Sequence, residues 1–122
     1  MSMNTPLLQL GNILITSIQM DLCDKQVVSF QQSVVEAIST KNMQGVVIDI
    51  SALDVVDSFM ARVINDTARA ARLVGAEVAV CGINPFVATT LVEMGRQLFD
   101  VKTTFNLEQA LAAVRKAIAV RV

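Results

Sequence analysis

The chain has 122 residues, of which 53% are hydrophobic and 17% are charged, a balance that excludes an intrinsically disordered protein. Its formal net charge is −1, with lysines and arginines scattered along the sequence, so it lacks the basic surface of a nucleic-acid-binding protein. The length fits one domain over residues 1–122, and we expect its ordered core to run from about residue 7 to about residue 119.

Histidine is absent and cysteine occurs twice. Without histidine, Ser-His-Asp triads, histidine metal sites and histidine phosphorelays are excluded, which makes an enzyme a weaker hypothesis. Two cysteines are too few for a disulfide framework or a cysteine zinc site, so Cys23 and Cys81 are each interpreted as a small buried hydrophobe. We therefore expect no metal and no cofactor.

Every apolar run is interrupted before the roughly 20 residues that a transmembrane helix needs. The first six residues lack the basic segment and apolar core of a signal peptide, so we expect a cytoplasmic protein without membrane contact. A domain this small and this apolar also has too few charges to cover its surface. This predicts contact with another protein, in a homo-oligomer or a larger assembly.

The hydrophobic pattern predicts elements in the order ββαβαβαβα. Five segments have the composition of strands, and they span residues 7–10, 13–18, 46–50, 77–83 and 101–105. Four segments have apolar residues at helical spacing, and they span residues 25–41, about 58–74, 85–94 and 107–119. The apolar stripe of the second helix includes Met60, Val63 and Ile64. Crossovers of this length favour parallel pairing, so we expect an α/β fold with a small mixed, mostly parallel sheet packed against helices.

Capping residues lie at the ends of the predicted helices. The expected N-terminal caps are Asp21 or Asp24, Asp57 or Ser58, Asn84 followed by Pro85, and Asn106. The expected stops are the segment 42–45 with its glycine, then Gly75 and Gly95.

Ser58 lies where the central strand leads into the second helix. Backbone N–H groups at a helix start lack partners and the helix dipole is positive there, so a serine can cap the helix or carry a phosphate. A phosphate would add about −1.5 to −2 charges. Arg62, one turn later, could pair with it, whereas Asp54 and Asp57 would repel it. This pattern leaves three roles open for Ser58, which are a helix cap, a residue beside the cap Asp57, and a phosphorylation switch.

Two further groups of residues are weaker candidates. Thr89 and Thr90 lie in the first turns of the third helix, where a threonine is usually a packed or weakly bonded helical residue. Asp49, Asp54 and Asp57 could form a cation cluster like that of a phosphoryl-transfer enzyme. No glycine-rich phosphate loop accompanies them, so helix caps and solvated carboxylates explain them better.

Three separated segments carry a family resemblance, and they are 55–63 (VVDSFMARV), 80–95 (VCGINPFVATTLVEMG) and 103–111 (TTFNLEQAL). They resemble the RsbS-type proteins, the small STAS-domain scaffolds of the bacterial stressosome. Together with the element order, the resemblance covers essentially the whole chain. It implies a STAS fold and a non-enzymatic protein.

The resemblance also implies partners. In that family the scaffold assembles with RsbR-type STAS sensor paralogues and holds an RsbT-type switch kinase, which leaves after it phosphorylates the scaffold serine. Ser58 matches that serine, and Thr90 falls near a second phosphorylation position of related stressosome domains. The residues expected to contact the kinase adjoin Ser58, and they are Asp57, Phe59, Met60 and Arg62.

Two other functions are alternatives, one within the STAS family and one from another class of protein. The first is a soluble anti-anti-sigma factor that binds an anti-sigma kinase directly. Such proteins usually carry a glycine shortly after the phosphoserine, whereas Phe59-Met60-Ala61 follow here and favour the scaffold branch. Six residues precede the first strand, so we do not expect the long N-terminal domain of the sensor branch. The second alternative, a small phosphoryl-transfer or flavodoxin-like enzyme, is disfavoured by the missing histidines, phosphate loop and aromatic residues.

Overall fold

The computed structural model describes residues 7–18, 23–93 and 101–121, and their elements follow the predicted order. The strands are β1 (Leu7–Leu10), β2 (Ile13–Ser17), β3 (Gly45–Asp49), β4 (Glu77–Cys81) and β5 (Lys102–Thr104). The helices are α1 (Asp24–Lys41), α2 (Ser58–Leu73), α3 (Pro85–Glu93) and α4 (Leu107–Ala119). The predicted α/β class is therefore confirmed. None of the helices within these ranges is both long and apolar enough to cross a membrane.

The strands form one sheet in the order β1-β2-β3-β4-β5. β1 pairs antiparallel with β2, and the three remaining neighbours pair in parallel. The hairpin between β1 and β2 turns at Gly11, whose φ of 62° is accessible to glycine without strain. Parallel neighbours need a crossover between them, and α1, α2 and α3 supply it. The mixed, mostly parallel sheet is as predicted.

The described helices cover the two faces of the sheet unequally. One face packs against α1, α2 and α3, which bury Phe30, Ile64 and Leu91 in the larger core. On the opposite face α4 packs against β3, β4 and β5 through Ala110 and Val114. On that face Ile13 of β2 is buried in the same cluster, whereas Leu8 and Leu10 of β1 are exposed.

The predicted cap of α1 is wrong, whereas its predicted end in the segment 42–45 is confirmed, although Asn42 and not the glycine provides it. Cys23 is its N-cap residue, and the Cys23 N–H donates to the Gln26 side chain at 2.9 Å, whereas Asp24 is already helical. Asp21 lies outside the described residues. The helix stops at Asn42, whose φ of 55° is the left-handed conformation that asparagine tolerates. Gly45 is not a stop but the first residue of β3. It admits α4, because a Cβ there would overlap the Val114 side chain.

The other predicted caps are confirmed within the described chain. Asn84 Oδ1 accepts a hydrogen bond from the Val87 N–H at 2.8 Å, and Asn106 Oδ1 accepts one from the Gln109 N–H at 2.9 Å. Gly75 follows the end of α2 with a φ of 100°. The predicted stop of α3 at Gly95 lies outside the described residues.

The two cysteines differ in environment. Cys81 is buried in the sheet as predicted, but Cys23 is exposed at the start of α1, so its interpretation as a buried hydrophobe is wrong. Burial, together with the negative charge of Asp49 on the neighbouring strand, raises the pKa of the Cys81 thiol from 9.0 to about 11. At neutral pH Cys81 is therefore a protonated, inert thiol.

We expect a thiol reagent at pH 8 to modify Cys23 in the folded protein and Cys81 only after denaturation, and thiol counting with and without urea measures this.

The raised pKa of Cys81 also makes the free energy of unfolding depend on pH. Folding favours the protonated thiol, so its contribution to stability is complete below pH 9 and is lost as the pH rises towards 11. Relative to the Cys81→Ala variant, the protein should lose about 1–3 kcal/mol of unfolding free energy over that range. Parallel pH profiles for the two proteins would contradict this.

Candidate functional site

The candidate site lies at the edge of the sheet where the parallel strands end. β3 and β4 are neighbours, and each leads through a loop into a helix, α2 or α3. We name residues 50–57 the α2 loop and residues 82–84 the α3 loop. Because both strands point to the same edge, the N-termini of α2 and α3 both lie there, which is the usual place of functional loops in open α/β sheets.

Ser58 is the first residue of α2, and Asp57 before it is the cap. The Asp57 Oδ1 accepts a hydrogen bond from the Met60 N–H at 2.8 Å. Ser58 itself is exposed, and its hydroxyl has no hydrogen-bond partner among the described residues. Ser58 is therefore not the cap but the residue beside it, and its phosphorylation stays a prediction. Its hydroxyl is accessible at the positive end of a four-turn helix.

The predicted contact residues around Ser58 fall into two groups. Asp57, Phe59 and Arg62 are exposed, so a partner could reach each of them. Met60 is 1% exposed and packs in the larger core, so the prediction that its side chain contacts a partner is wrong.

Two exposed apolar side chains near the site were missed by the sequence analysis. Val55 in the α2 loop is 62% exposed, and Phe86 in the first turn of α3 is 60% exposed. A signal for Phe86 was present, because Val87 and Leu91 are spaced by four residues and occupy the buried face of α3. Phe86 precedes Val87 by one residue and therefore lies outside that face.

The α2 and α3 loops are in contact through their backbones. Gly82 has a φ of 83°, and a Cβ at this position would lie 2.6 Å from the Ser51 backbone nitrogen. The Asn84 Nδ2 donates to the Leu53 carbonyl oxygen at 3.4 Å while its Oδ1 caps α3. These contacts hold the start of α3, with Phe86, against the loop that carries Val55.

The hydroxyls of the two threonines are used within α3. Thr90 is half-buried and its Oγ1 donates to the Phe86 carbonyl oxygen at 2.9 Å. Thr89 is exposed and its Oγ1 donates to the Pro85 carbonyl oxygen at 3.0 Å. Their interpretation as bonded helical residues is therefore confirmed, and modification of Thr90 stays a prediction.

The aspartates serve the local backbone or face solvent. The Asp49 Oδ1 accepts a hydrogen bond from the Ser51 N–H at 2.9 Å, Asp57 caps α2, and Asp54 is exposed. In the ranges that the structure describes, no group of three acidic, cysteine or histidine residues could hold a metal ion.

Comparison with known protein families matches residues 4–111 to the STAS domain, so the chain belongs to the STAS-domain family. The solved structure of the anti-sigma factor antagonist SpoIIAA, which is 12% identical to this chain with a TM-score of 0.66, shares the fold.

Within the family, the chain is similar to stressosome proteins. A solved structure of RsbS from Moorella thermoacetica carrying the substitution S58E is 35% identical, with a TM-score of 0.84 over 96% of this chain and 99% of that chain. A chain from the structure titled "Molecular architecture of the stressosome, a signal integration and transduction hub" is 38% identical, with a TM-score of 0.83 over 95% and 100% of the two chains. The RsbS-type resemblance is thus confirmed.

A longer relative is similar to part of this chain. The RsbT co-antagonist protein RsbRD of Bacillus subtilis is 35% identical over 81 residues. These residues make up 66% of this chain and 29% of RsbRD, so the chain matches less than a third of that protein.

Proposed function

We propose that the chain is a non-enzymatic scaffold of a stressosome-type assembly and a partner-switching regulator. In this proposal it holds an RsbT-type serine/threonine kinase and releases it when Ser58 is phosphorylated. The observation that carries the proposal is the exposed hydroxyl of Ser58, which has no hydrogen-bond partner in the described part of the chain and lies at the start of a helix that Asp57 already caps. The chain is also similar to RsbS over 96% of its length, which supports the same function.

The surface around Ser58 suits a protein partner. Val55, Phe59 and Phe86 are apolar and exposed, and we name these three residues the docking surface. Covering apolar side chains is favourable, and aromatic residues are enriched among those that dominate binding energy. The contact between the α2 and α3 loops holds the loop that carries Val55 against the start of α3, which carries Phe86, before a partner arrives, and such preorganisation lowers the entropic cost of binding.

A phosphate on Ser58 would act differently in the free and bound states. In the free chain it stands in water at the positive end of α2, with Arg62 one turn away as a counter-charge. In the complex the same group would be taken out of water next to the docking surface and the carboxylates of Asp54 and Asp57. Desolvation of an incompletely paired charge is costly, so phosphorylation lowers the affinity for the partner.

The proposed assembly also contains RsbR-type STAS sensor paralogues, and we place it in the cytoplasm. RsbRD, which shares 35% identity with this chain over their common part, is by its name an RsbT co-antagonist. Two chains of one fold provide similar surfaces, which favours mixed assembly of paralogues.

Mixing the purified chain with an RsbR-type paralogue should produce particles in the megadalton range. Size-exclusion chromatography with light scattering measures their mass, and each protein alone at the same concentration is the control. A persistent monomer in the mixture would contradict the scaffold function. A small one-to-one complex with an anti-sigma kinase would instead support a soluble anti-anti-sigma factor.

A further inference from the structure

A third connection lies at the same edge of the sheet as the α2 and α3 loops. The strand register places Asp49, Cys81 and Thr104 in one row, so β3, β4 and β5 end level with one another. Phe105 directly follows this row, between β5 and α4. Neighbouring strands are about 4.8 Å apart, so the end of β5 lies two strands, or about 10 Å, from the end of β3, which leads to Ser58.

The turn at the start of α4 holds Phe105 in an exposed position. The Phe105 N–H donates to the Gln109 Oε1 at 3.1 Å, and the Asn106 Oδ1 accepts a hydrogen bond from the Gln109 N–H at 2.9 Å. An apolar residue before a helix cap often packs against the residue five positions later, which is Ala110 in this chain. Ala110 is buried, but Phe105 is 78% exposed, so most of the phenylalanine ring faces solvent. The turn therefore presents an aromatic side chain on a backbone that hydrogen bonds fix.

An open groove of about 450 Å³ lies between α3 and this turn, and we name it the α3–α4 groove. The described residues that line it are uncharged, and they are Ile83, Ala88, Thr103, Thr104, Phe105 and Gln109. An uncharged groove beside an exposed aromatic ring suits an apolar or aromatic side chain of a protein partner.

The size of a protein interface favours the partner that binds at Ser58. Val55, Phe59 and Phe86 together expose roughly 300 Å² of side chain, whereas a standard interface covers roughly 800 Å² on each partner. A patch of about 800 Å² is roughly 30 Å across, which is about three times the distance between the ends of β3 and β5. A partner centred on Ser58 therefore extends beyond the docking surface, and along this edge it meets the α3–α4 groove.

We propose that the α3–α4 groove, with Phe105 as its anchor, is a second contact for the kinase that binds the docking surface. This inference rests on the proposed function. The groove lies outside the loop that leads to Ser58, and substitutions at separate sites usually have additive effects on binding. Loss of Phe105 should therefore weaken kinase binding by the same factor whether or not Ser58 is substituted.

Isothermal titration calorimetry of the full chain with the purified RsbT-type kinase tests this contact, with the variants Phe105→Ala and Leu73→Ala. Leu73 is the matched control, because it is 86% exposed but ends α2, at the opposite edge of the sheet. Phe105→Ala should weaken kinase binding at least about tenfold, because truncation of an aromatic anchor removes its contact with the partner. Leu73→Ala should leave the dissociation constant unchanged. Thermal melting of both variants controls for folding.

Two results would overturn this inference and leave the proposed function standing. They are kinase binding that Ser58→Asp weakens and Phe105→Ala does not, and equal weakening by Phe105→Ala and Leu73→Ala. In the first case, loss of mixed assembly with an RsbR-type paralogue in Phe105→Ala would assign the groove to that paralogue instead. Failure of the unsubstituted chain to bind the kinase would overturn the proposed function, and this inference with it.

Discussion

Ser58→Asp should remove most of the binding to an RsbT-type kinase, while Ser58→Ala binds like the unsubstituted chain. The Ser58 hydroxyl has no described partner to lose, so alanine removes little. Aspartate places a charge next to the docking surface and beside Asp57, where a bound kinase excludes water. An interfacial charge left unpaired costs about 2–5 kcal/mol, which corresponds to a loss of affinity of roughly 30-fold to several thousand-fold. Isothermal titration calorimetry with the purified kinase measures the difference.

Ser29→Asp is the matched control for this experiment. Ser29 is an exposed serine of α1, outside the docking surface, so the same substitution there should leave the affinity for the kinase unchanged. Equal binding by Ser58→Asp and Ser58→Ala would remove the basis of the switch. Equal weakening by Ser29→Asp and Ser58→Asp would show that only the net charge of the chain matters.

Gly82→Ala is expected to have the largest effect on stability. Its φ of 83° costs a residue with a side chain about 1–2 kcal/mol, and the added Cβ would lie 2.6 Å from the Ser51 backbone nitrogen. The Ser51 backbone cannot move aside as a flexible side chain can. Relieving the overlap with the added Cβ therefore costs about 1–3 kcal/mol more. The sum is about 2–5 kcal/mol, a large fraction of the stability of a small domain. Urea unfolding measures the loss.

Gly11→Ala separates the two causes. Gly11 also has a positive φ, 62°, but a Cβ there would meet no atom within 4 Å. This variant should therefore lose only the conformational part, about 1–2 kcal/mol. If both variants lost the same free energy, the close contact between the α2 and α3 loops would contribute nothing.

The parts of the fold that depend on local chemistry could be predicted from the sequence. Asn84 with Pro85 and Asn106 start their helices through hydrogen bonds that reach only three residues along the chain. The cap of α1 was missed because Asp24 has a side chain typical of caps, whereas the extended backbone falls one residue earlier, at Cys23. Backbone conformation, and not residue type alone, decides where a helix begins.

The candidate site was predictable in its centre and not in its surroundings. The position of Ser58 follows from the strand–helix junction. Met60 was expected both in the apolar stripe of α2 and at a partner contact, and the helical spacing with Ile64 proved the better guide to its burial. The exposure of Phe86 follows from the helical spacing of Val87 and Leu91. The exposure of Val55 and the close approach of Gly82 to Ser51 depend on how two distant loops meet, which no local pattern encodes.

Mass spectrometry of the native particle isolated from stressed and unstressed cells tests the central claim most directly, because it reports the phosphate and the bound kinase together. We expect particles from unstressed cells to contain unmodified Ser58 and the kinase, and particles from stressed cells to carry phosphate on Ser58 and to have lost the kinase. Release of the kinase while Ser58 remains unmodified would contradict the account.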